Sequence, residues 1–372
     1  MKGKQKRDEE KRRVQVEETR ITGMLNFVVF LAVAAVAYTD WLVIPNVSLG
    51  YLYVLPIALS ALVNRPPLTI ALAVGCTVLQ DLFFGTQPET LRVRIFRNAI
   101  TLIGFLVVGF LVTLIARQRN RLIAEVRRQR DEYEHDLLLA AQVQRQVLTK
   151  PPVCPDLELA AAMQTAQLLG GDYYDFFQIS ENVVDVVIAD VSGHGAAASL
   201  LMPSLAVALR LRARELSGPA AILKDLDQVL QSITNSATFV TMFYARFDQA
   251  NKTLEYANGG HNPPLLLRSK TGQSVQLEAG GPIMGILKDA QFSNTVVALD
   301  PGDVLTLFTD GVTEQENEAA EEFSISRLEE LVRSKQTEPA AALVADITEA
   351  VSTFAGTKAQ ADDLTVVVVK IL

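Results

Sequence analysis

The fold of the second half of this chain is decided by residues 183–195, which read VVDVVIADVSGHG. The run from Val183 to Ala189 is apolar and rich in β-branched residues, which is typical of a buried strand. Asp190 follows that strand, and Gly193 and Gly195 allow other backbone to approach its side chain closely. The stretch therefore predicts a carboxylate at the end of a strand, where other polar groups can meet it.

Three further aspartate segments stand beside apolar, strand-like runs. They are Gly170-Gly171-Asp172, Thr309-Asp310-Gly311 and Asp362-Asp363-Leu364-Thr365. Taken singly these are ordinary turns, and the Asp190 segment alone fits a turn that caps the following helix equally well. The neighbouring Asp362 and Asp363 are more informative, because adjacent acids repel each other unless solvated or bound to a cation. Together the four segments predict a site for a hard divalent cation, Mg²⁺ or Mn²⁺.

Composition limits the classes of function open to the chain. Its 372 residues carry a net charge of -8, which gives no support for nucleic-acid binding. Two cysteines, Cys76 and Cys154, make neither a disulfide framework nor a zinc site. The three histidines, His135, His194 and His261, are too few for imidazole-rich metal chemistry. The composition therefore leaves an oxygen-ligated metal site as the chemistry to expect.

The N-terminal part is predicted to lie in a lipid bilayer. Residues 1–20 are charged, and each apolar stretch after them is close to the roughly 20 residues needed to span a membrane. We expect four spans, although three or five also fit, at Met24–Tyr38, Trp41–Val63, Leu68–Phe84 and Ala99–Ala116. The basic segments at 2–20 and 117–130 then both lie in the cytoplasm, as the positive-inside preference requires.

This orientation has one difficulty, which concerns three arginines. Four spans place Arg92, Arg94 and Arg97 outside the cytoplasm, against the positive-inside preference. An interfacial amphipathic helix or a different number of spans would resolve it. The chain is accordingly predicted to be a multi-pass protein of the plasma (cell inner) membrane, with its C-terminal domain in the cytoplasm.

The segment after the last predicted span reads as a signalling helix. Residues 117–148 contain neither glycine nor proline, and Lys150-Pro151-Pro152 ends the helix. Apolar or small residues recur at broadly 3-4 spacing, with one extra four-residue step near Tyr133, at Leu122, Val126, Tyr133, Leu137, Ala140 and Val147. This is the pattern of a coiled coil with a stutter, and it predicts a parallel homodimer. A solvated connector with one apolar face is the alternative.

The remainder of the chain alternates short strands with grouped helices. Strands are predicted at Val183–Ala189, Phe239–Phe247, Thr253–Ala257, Val304–Phe308 and Thr365–Ile371, and helices at Ala196–Glu215, Pro219–Thr234, Ser326–Lys335 and Pro339–Phe354. Strands in bulk with helices grouped between them favour a layered α+β domain over a βαβ repeat. The predicted organisation is a charged N-terminus (1–20), a transmembrane sensor region (21–116), a coiled-coil linker (117–150) and a catalytic domain (151–372).

The aspartate segments and the blocks between them resemble one family. The blocks are AQVQ at 141–144, GGDYYDF at 170–176, ADVSGHG at 189–195, FVTMFY at 239–244, ANGGHNPP at 257–264, GPIMG at 281–285, FTDGVTE at 308–314 and DDLT at 362–365. In this order they are similar to the SpoIIE-like branch of the metal-dependent Ser/Thr protein phosphatases, the protein phosphatase 2C superfamily. The resemblance covers roughly residues 140–372.

The resemblance implies a fold and a set of metal ligands. The fold is a sandwich of two antiparallel β-sheets flanked by helices, here preceded by an all-α transmembrane bundle and a coiled-coil linker. Asp190 would bridge two Mn²⁺ or Mg²⁺ ions, and the carbonyl of Val191 would bind one of them. The remaining ligands would be Asp172, Asp310 and the Asp362-Asp363 pair. Asp362 is favoured within that pair, because in the superfamily the ligand precedes the threonine by three positions.

The resemblance also implies a reaction and a partner. Two cations a few ångströms apart lower the pKa of a shared water, which makes hydroxide available to attack phosphorus near neutral pH. His194 is a candidate general acid for the leaving serine oxygen, with a structural role in its loop as the alternative. The implied substrate is a phosphorylated anti-sigma-factor antagonist of a bacterial partner-switching pathway.

Three other functions are weighed against this one. The Gly170-Gly171-Asp172 segment superficially resembles the diguanylate-cyclase signature, but a proline-rich linker lies only about 20 residues upstream, too close for the strands and helix that precede the signature in that fold. A sensor histidine kinase fits the membrane layout, yet no ATP-binding box follows His135. A non-catalytic binding module with the phosphatase fold is the remaining alternative, which the full set of carboxylates disfavours.

Overall fold

The computed structural model describes residues 22–39, 41–42, 50–63, 66–84, 90–193, 196–215, 218–233, 238–278 and 280–372. They belong to two compact units, which comprise residues 1–132 and 133–372. The predicted charged N-terminus, residues 1–20, and the candidate general acid His194 lie outside the described residues.

Unit 1 is helical throughout its described part. Its helices are α1 (Thr22–Thr39), α2 (Val54–Val63), which follows a 3₁₀ turn at Gly50–Tyr53, α3 (Pro66–Phe84) and the first part of α4 (Leu91–Val147). A small core holds them together and consists of Tyr53, Ile57, Ala73, Cys76 and Phe105. Helix α4 is continuous for 57 residues, so its last turns belong to unit 2.

The outer faces of unit 1 carry large apolar side chains. Phe27, Leu31 and Phe110 are each more than 60% exposed, an arrangement that is unfavourable in water. By length and composition α1 and α4 are long and apolar enough to cross a membrane, whereas the apolar helices at Gly50–Leu62 and Pro66–Leu82 are shorter. Two of the four predicted spans thus have a helix of sufficient length, and the total of four stays a prediction.

The arginines that conflict with the predicted orientation are engaged by an acid. Arg94 donates to the Asp81 carboxylate through Nε at 3.0 Å and Nη2 at 2.5 Å. Arg97 donates to the same carboxylate through Nη2 at 3.0 Å. One α3 aspartate therefore offsets part of the charge of two α4 arginines, which reduces the cost of placing them near a bilayer.

Unit 2 is built on two β-sheets. Sheet I has the order β1-β11-β10-β6-β7 and consists of β1 (Leu157–Gln164), β6 (Leu265–Leu267), β7 (Ser274–Gln276), β10 (Val304–Phe308) and β11 (Leu364–Ile371). Sheet II has the order β2-β3-β4-β5-β8, with β9 also paired to β5, and consists of β2 (Tyr173–Gln178), β3 (Val183–Val191), β4 (Val240–Asp248), β5 (Thr253–Gly259), β8 (Gly280–Gly281) and β9 (Thr295–Ala298). All described pairs are antiparallel except β5 with β8.

Helices cover the outer face of each sheet, which gives four layers. Helices α5 (Ala196–Glu215) and α6 (Pro219–Ile233) pack on sheet II, while α8 (Ser324–Ser334) and α9 (Ala340–Ala355) pack on sheet I. The short helix α7 (Asp310–Thr313) follows β10 directly. Alternate residues of β3 divide between two cores: Val186 and Ile188 face sheet I, and Val187 faces the helices.

The structure confirms the predicted α+β sandwich. The strand at Val304–Phe308 and the helix at Ala196–Glu215 have the predicted bounds, and β3 extends two residues beyond the predicted strand. The sequence analysis did not identify β1 or β2, whose burial does not follow a simple alternation. The predicted linker is helical to Val147, while its pairing with a second copy stays a prediction.

Thr306 of β10 offers a test of the packing between sheet I and its helices. Its hydroxyl is fully buried and has no hydrogen-bond partner among the described residues. We expect Thr306→Val to stabilise the protein by about 1 kcal/mol, because the substitution removes an unsatisfied buried hydroxyl and keeps the shape of the side chain. Thermal unfolding of the full chain measures the change. Thr295→Val, at a half-exposed position, is the control, and an equal gain in both variants would contradict the explanation.

Candidate metal centre

The predicted aspartates collect where strands of the two sheets end. Asp190 is the penultimate residue of β3 and shares the strand face of Val186 and Ile188, which looks towards sheet I. Asp310 begins α7 immediately after β10, and Asp362 and Asp363 immediately precede β11. Because β10 and β11 are antiparallel neighbours in sheet I, the aspartates after β10 and before β11 lie at the same end of the strands. We call this end of the sandwich the aspartate edge.

Asp172 is held by two threonine hydroxyls. Thr309 donates to its Oδ2 at 2.8 Å and Thr365 donates to the same oxygen at 2.6 Å. The Asp172 side chain is buried at the start of sheet II, whereas both threonines belong to the sheet I edge. One carboxylate oxygen, Oδ2, is therefore fixed by two hydroxyls of the opposite sheet.

The two adjacent aspartates differ in their surroundings. The carboxylate of Asp363 is buried and accepts from the backbone N–H groups of Ala166 at 2.8 Å and Gly171 at 2.7 Å. The side chain of Asp362 is exposed, and its Oδ1 accepts from the backbone N–H of Asp363 at 2.8 Å. Both oxygens of Asp363 are thus engaged in holding the Gly170-Gly171-Asp172 loop, while Asp362 faces the open side.

Two glycines permit this close assembly. A Cβ on Gly311 would lie 2.0 Å from the carbonyl oxygen of Asp363, and a Cβ on Gly171 would lie 2.8 Å from the carbonyl oxygen of Val191. Neither position accommodates a side chain without moving backbone. The Asp310 and Asp362-Asp363 segments therefore pack main chain against main chain, and the Val191 carbonyl lies beside the Asp172 loop.

The carboxylates raise one another's pKa. Burial, with the nearby charges of Asp310, Asp362 and Asp363, raises the pKa of Asp190 to about 7. Burial and the charge of Asp190 raise the pKa of Asp172 well above its usual range, against the two threonine hydrogen bonds. Burial and Asp362 likewise raise the pKa of Asp310. A divalent cation would reverse these shifts, because it stabilises the charged forms.

The donor set fits a hard cation. The groups gathered here offer oxygen only, which suits Mg²⁺ or Mn²⁺ better than a metal that prefers sulfur or imidazole. Within the described ranges, no three His, Cys, Asp or Glu side chains converge into a ready-made metal cluster. The aspartates nevertheless lie close enough to shift one another's pKa, and Mg²⁺ characteristically retains several waters between itself and the protein.

His261, which lies in one of the recognised blocks, belongs to a separate turn after β5. His261 is buried, and its Nδ1 lies 2.9 Å from the hydroxyl of Thr241. Its backbone is fixed by Asn258, whose side chain accepts from the His261 N–H and donates to the His261 carbonyl. The backbone of this turn is therefore held by the side chain of Asn258.

The end of α4 contacts the loop that carries Asp172. The side-chain amide of Gln144 donates to the carbonyl of Gly170 at 2.6 Å and accepts from the Gly170 N–H at 3.3 Å. Asp175 is fully buried, where it accepts from Tyr173, Thr149 and Arg210, and Arg210 also donates to the carbonyl of Val147. The last turn of α4 is thus hydrogen-bonded directly to Gly170 and linked to Asp175 through Arg210.

A cleft opens beside the exposed Asp362. It has a volume of about 290 Å³, and Gly311 and Asp362 form part of its wall. The remaining wall is mainly acidic, because Glu314, Glu316 and Glu322 line it and Lys358 forms an ion pair with Glu316. The aspartate edge therefore continues into an open, negatively charged groove.

Sequence reasoning missed the residues that hold the aspartates in place. Thr309 and Thr365 lie inside the recognised blocks, and a threonine next to or three positions from each aspartate was the available signal. Gln144 occupies a polar position in the apolar repeat of α4, and its break in that pattern was a second signal. The pairing of Thr241 with His261 depends on tertiary structure and had no such signal.

Each of the two units matches a known family model. Residues 180–372 match the family model described as "Stage II sporulation protein E (SpoIIE)", and residues 22–134 match one described as "Domain of unknown function (DUF4118)". Phosphoserine phosphatase RsbU of Bacillus subtilis is 34% identical over 184 residues, which are 49% of this chain and 55% of that protein. Phosphoserine phosphatase RsbP of the same organism is 30% identical over 183 residues, or 48% and 45%.

A solved structure agrees with these matches at the level of the fold. The SiaA-PP2C domain of Pseudomonas aeruginosa superposes with a TM-score of 0.59 at 20% identity, over 66% of this chain and 99% of that domain. The chain spans about half the length of the curated relatives it matches. Since the SpoIIE model covers just over half of the chain and the fold of unit 2 agrees with it, this protein belongs to the SpoIIE family of protein phosphatase 2C-like domains.

Proposed function

We propose that this protein is a membrane-anchored phosphoserine or phosphothreonine protein phosphatase that uses two divalent cations, Mn²⁺ or Mg²⁺. The observation that carries the proposal is the group of aspartates at the strand ends, which burial and mutual repulsion hold at a raised pKa. Such a group is unfavourable for a purely structural role and favourable for binding cations. The similarity to two phosphoserine phosphatases supports the same reaction.

The geometry supports a division of roles among the aspartates. Asp190 would bridge the cations, with the Val191 carbonyl, Asp172, Asp310 and Asp362 completing the ligands. Asp362 is favoured over Asp363 because it is exposed at the edge, whereas the oxygens of Asp363 accept from Ala166 and Gly171. Asp363 therefore supports the Asp172 loop in this assignment. For His194, the two proposed roles are those of general acid and of a structural residue in its loop.

The bound cations would supply Lewis acidity and a water activated for in-line attack on phosphorus. The protein's own part is positioning. The Thr309 and Thr365 hydroxyls hold Asp172 in one rotamer, so that little reorganisation is needed when it becomes a ligand. The cleft beside Asp362 is open to solvent at the edge of the site, and its acidic wall attracts cations and repels a phosphate group until a cation is bound.

The proposed substrate is a phosphorylated anti-sigma-factor antagonist in a partner-switching pathway, by analogy with the family. The membrane placement rests on the two helices long and apolar enough to span a bilayer and on the exposed apolar faces of unit 1. We propose that the chain is a multi-pass plasma-membrane protein, dimeric through α4, with unit 2 in the cytoplasm. The hydrogen bonds of Gln144 to Gly170 give α4 a direct means of adjusting the Asp172 loop.

A second function remains to be separated from this one. A signalling module with the phosphatase fold that acts by binding alone would also bury these aspartates. Nucleotide cyclase and sensor kinase functions are less consistent with the family match, which covers residues 180–372.

Catalysis is tested with the full chain in detergent or nanodiscs. We expect Mn²⁺-dependent hydrolysis of p-nitrophenyl phosphate and of a phosphoserine protein, and a loss of roughly 10³-fold in Asp190→Asn, which removes about 4 kcal/mol of transition-state stabilisation. Asp289→Asn, which changes an exposed carboxylate on a loop, is the matched control. Mn²⁺ binding without phosphate release from any phosphoserine protein would favour the binding-module alternative.

The raised pKa of Asp190 predicts an unusual stability profile for the metal-free protein. A carboxyl whose pKa rises to about 7 on folding stabilises the fold at low pH, and that contribution is lost as the pH increases through 7. In EDTA we expect wild type to lose about 1 kcal/mol between pH 6 and 8 from this group, a few degrees in Tm. Asp190→Asn should lose less, and Mn²⁺ should raise the Tm of wild type only. A profile for the variant parallel to wild type would exclude the assignment.

The role of α4 is tested by insertions that rotate one part of the helix relative to the other. One alanine inserted after Glu132 rotates the preceding helix by about 100° relative to residues 133–147, whereas a seven-residue insertion nearly restores the original face. We expect the first insertion to change phosphatase activity several-fold and the second to change it little. Equal activity in both variants would mean that α4 is a passive tether. Circular dichroism and Mn²⁺ binding show whether unit 2 is intact in each.

A further inference from the structure

His261 is the one described histidine buried in unit 2, and the proposed chemistry does not use it. Its side chain is 4% exposed and lies between the two sheets, near the edge where the aspartates collect. Burial lowers the pKa of the imidazole to about 4, so the ring is neutral at physiological pH. A buried imidazole costs more to desolvate than an apolar side chain of similar size, so its presence asks for an explanation.

The turn itself does not explain the ring. Asn258 fixes the backbone of His261 through two hydrogen bonds, to its N–H at 2.7 Å and to its carbonyl at 2.9 Å. Neither bond involves the imidazole. Residues of many kinds would satisfy the same backbone pattern, so the turn would persist without a histidine side chain.

The ring of His261 contacts Thr241, which is the cross-strand neighbour of Asp190. Thr241 of β4 stands directly opposite Asp190 of β3 in the antiparallel register. Side chains of directly opposite residues lie on the same face of a sheet, with Cβ atoms about 5 Å apart. The hydroxyl of Thr241 lies 2.9 Å from Nδ1 of His261, so the ring determines where that hydroxyl points.

The other side of the ring faces sheet I. The Nε2 atom is buried without a hydrogen bond of standard geometry, and the backbone of Phe308 on β10 is the group that favours a proton on the ring. With the proton on Nε2, Nδ1 is an acceptor and Thr241 donates to it. The Thr241 oxygen then keeps its own lone pairs available to accept from another donor, on the strand face that it shares with Asp190.

We propose that His261 is a positioning residue for the metal centre, which fixes the Thr241 hydroxyl beside Asp190 and so tunes the affinity for the divalent cation. The inference rests on the proposed metal site and adds to it a residue that touches no ligand directly. Thr241 presents an acceptor to water around the cation, and His261 keeps it in that orientation. Groups of this kind behind a metal site are typically worth 10- to 100-fold in metal affinity.

The experiment measures Mn²⁺ binding to the full chain by isothermal titration calorimetry, with no dependence on turnover. Two variants of nearly equal shape separate the hydrogen bond from packing: His261→Asn keeps an acceptor near the position of Nδ1, and His261→Leu does not. Thr241→Val removes the hydroxyl and preserves the shape of Thr241. We expect Mn²⁺ affinity about 10-fold weaker in His261→Leu and in Thr241→Val, and within about threefold of wild type in His261→Asn.

The double variant Thr241→Val/His261→Leu should bind Mn²⁺ no more weakly than either single variant, because both changes break one interaction. Thermal unfolding in EDTA shows whether each variant is folded. Equal weakening by Asn and Leu at position 261, or normal binding by Thr241→Val, overturns the inference and leaves the ring a packing role. Failure of wild type to bind Mn²⁺ instead overturns the proposed function.

Discussion

Mutual repulsion among the aspartates at the strand ends is the constraint around which unit 2 is arranged. Asp190 comes from sheet II, and Asp310 and Asp362 lie just outside the ends of two adjacent strands of sheet I, β10 and β11. Burial, together with their proximity to one another, raises their pKa values, which means that the fold works against their ionisation. A sandwich with an extensive apolar interior can support this local cost, because the cores on either side of each sheet are separate and well buried.

Neutral hydrogen bonds, not opposite charges, hold the crowded edge in place. Asp172 is fixed by two hydroxyls and Asp363 by two backbone N–H groups. A lysine or arginine here would stabilise the empty site and compete with a cation. Two arginines of unit 2 form ion pairs with other aspartates instead: Arg210 pairs with Asp175, and Arg246 pairs with Asp185. The chain thus separates the paired charges that build the domain from the carboxylates for which a metal is proposed.

The strongly patterned elements were predictable from the sequence, and the connections between them were not. Val304–Phe308 is a continuous apolar run and Ala196–Glu215 is a long stretch rich in helix-forming residues, and both kept their predicted bounds. The strand β2 begins beside the Gly170-Gly171-Asp172 turn and contains Asp175, whose burial depends on Arg210 from a helix 35 residues away. No local pattern encodes such a partner. The choice between Asp362 and Asp363 was likewise open, because it turns on which carboxylate meets the distant N–H groups of Ala166 and Gly171.

Unit 1 was harder to define from hydropathy alone. Within the described residues of the apolar run Trp41–Val63, a 3₁₀ turn at Gly50–Tyr53 precedes α2, a detail that hydropathy does not indicate. Likewise Arg94 and Arg97 look misplaced in the sequence, because their partner Asp81 lies on the preceding helix. Pairing between helices, which hydropathy does not register, therefore decides how such charges are accommodated.

The contacts that complete the aspartate edge also have a bearing on how the chain folds. Thr365 meets Asp172 across 193 positions of sequence, and Asp363 meets Gly171 across 192. Loop closure over such distances is slow, because the chain loses conformational entropy before the contacts form and stabilise it. We expect the edge to be among the last parts of unit 2 to assemble, after the local hairpin of β4 and β5. A chain still folding would then lack the assembled aspartates, so a cation that binds them, as proposed, would report on completion of the native topology.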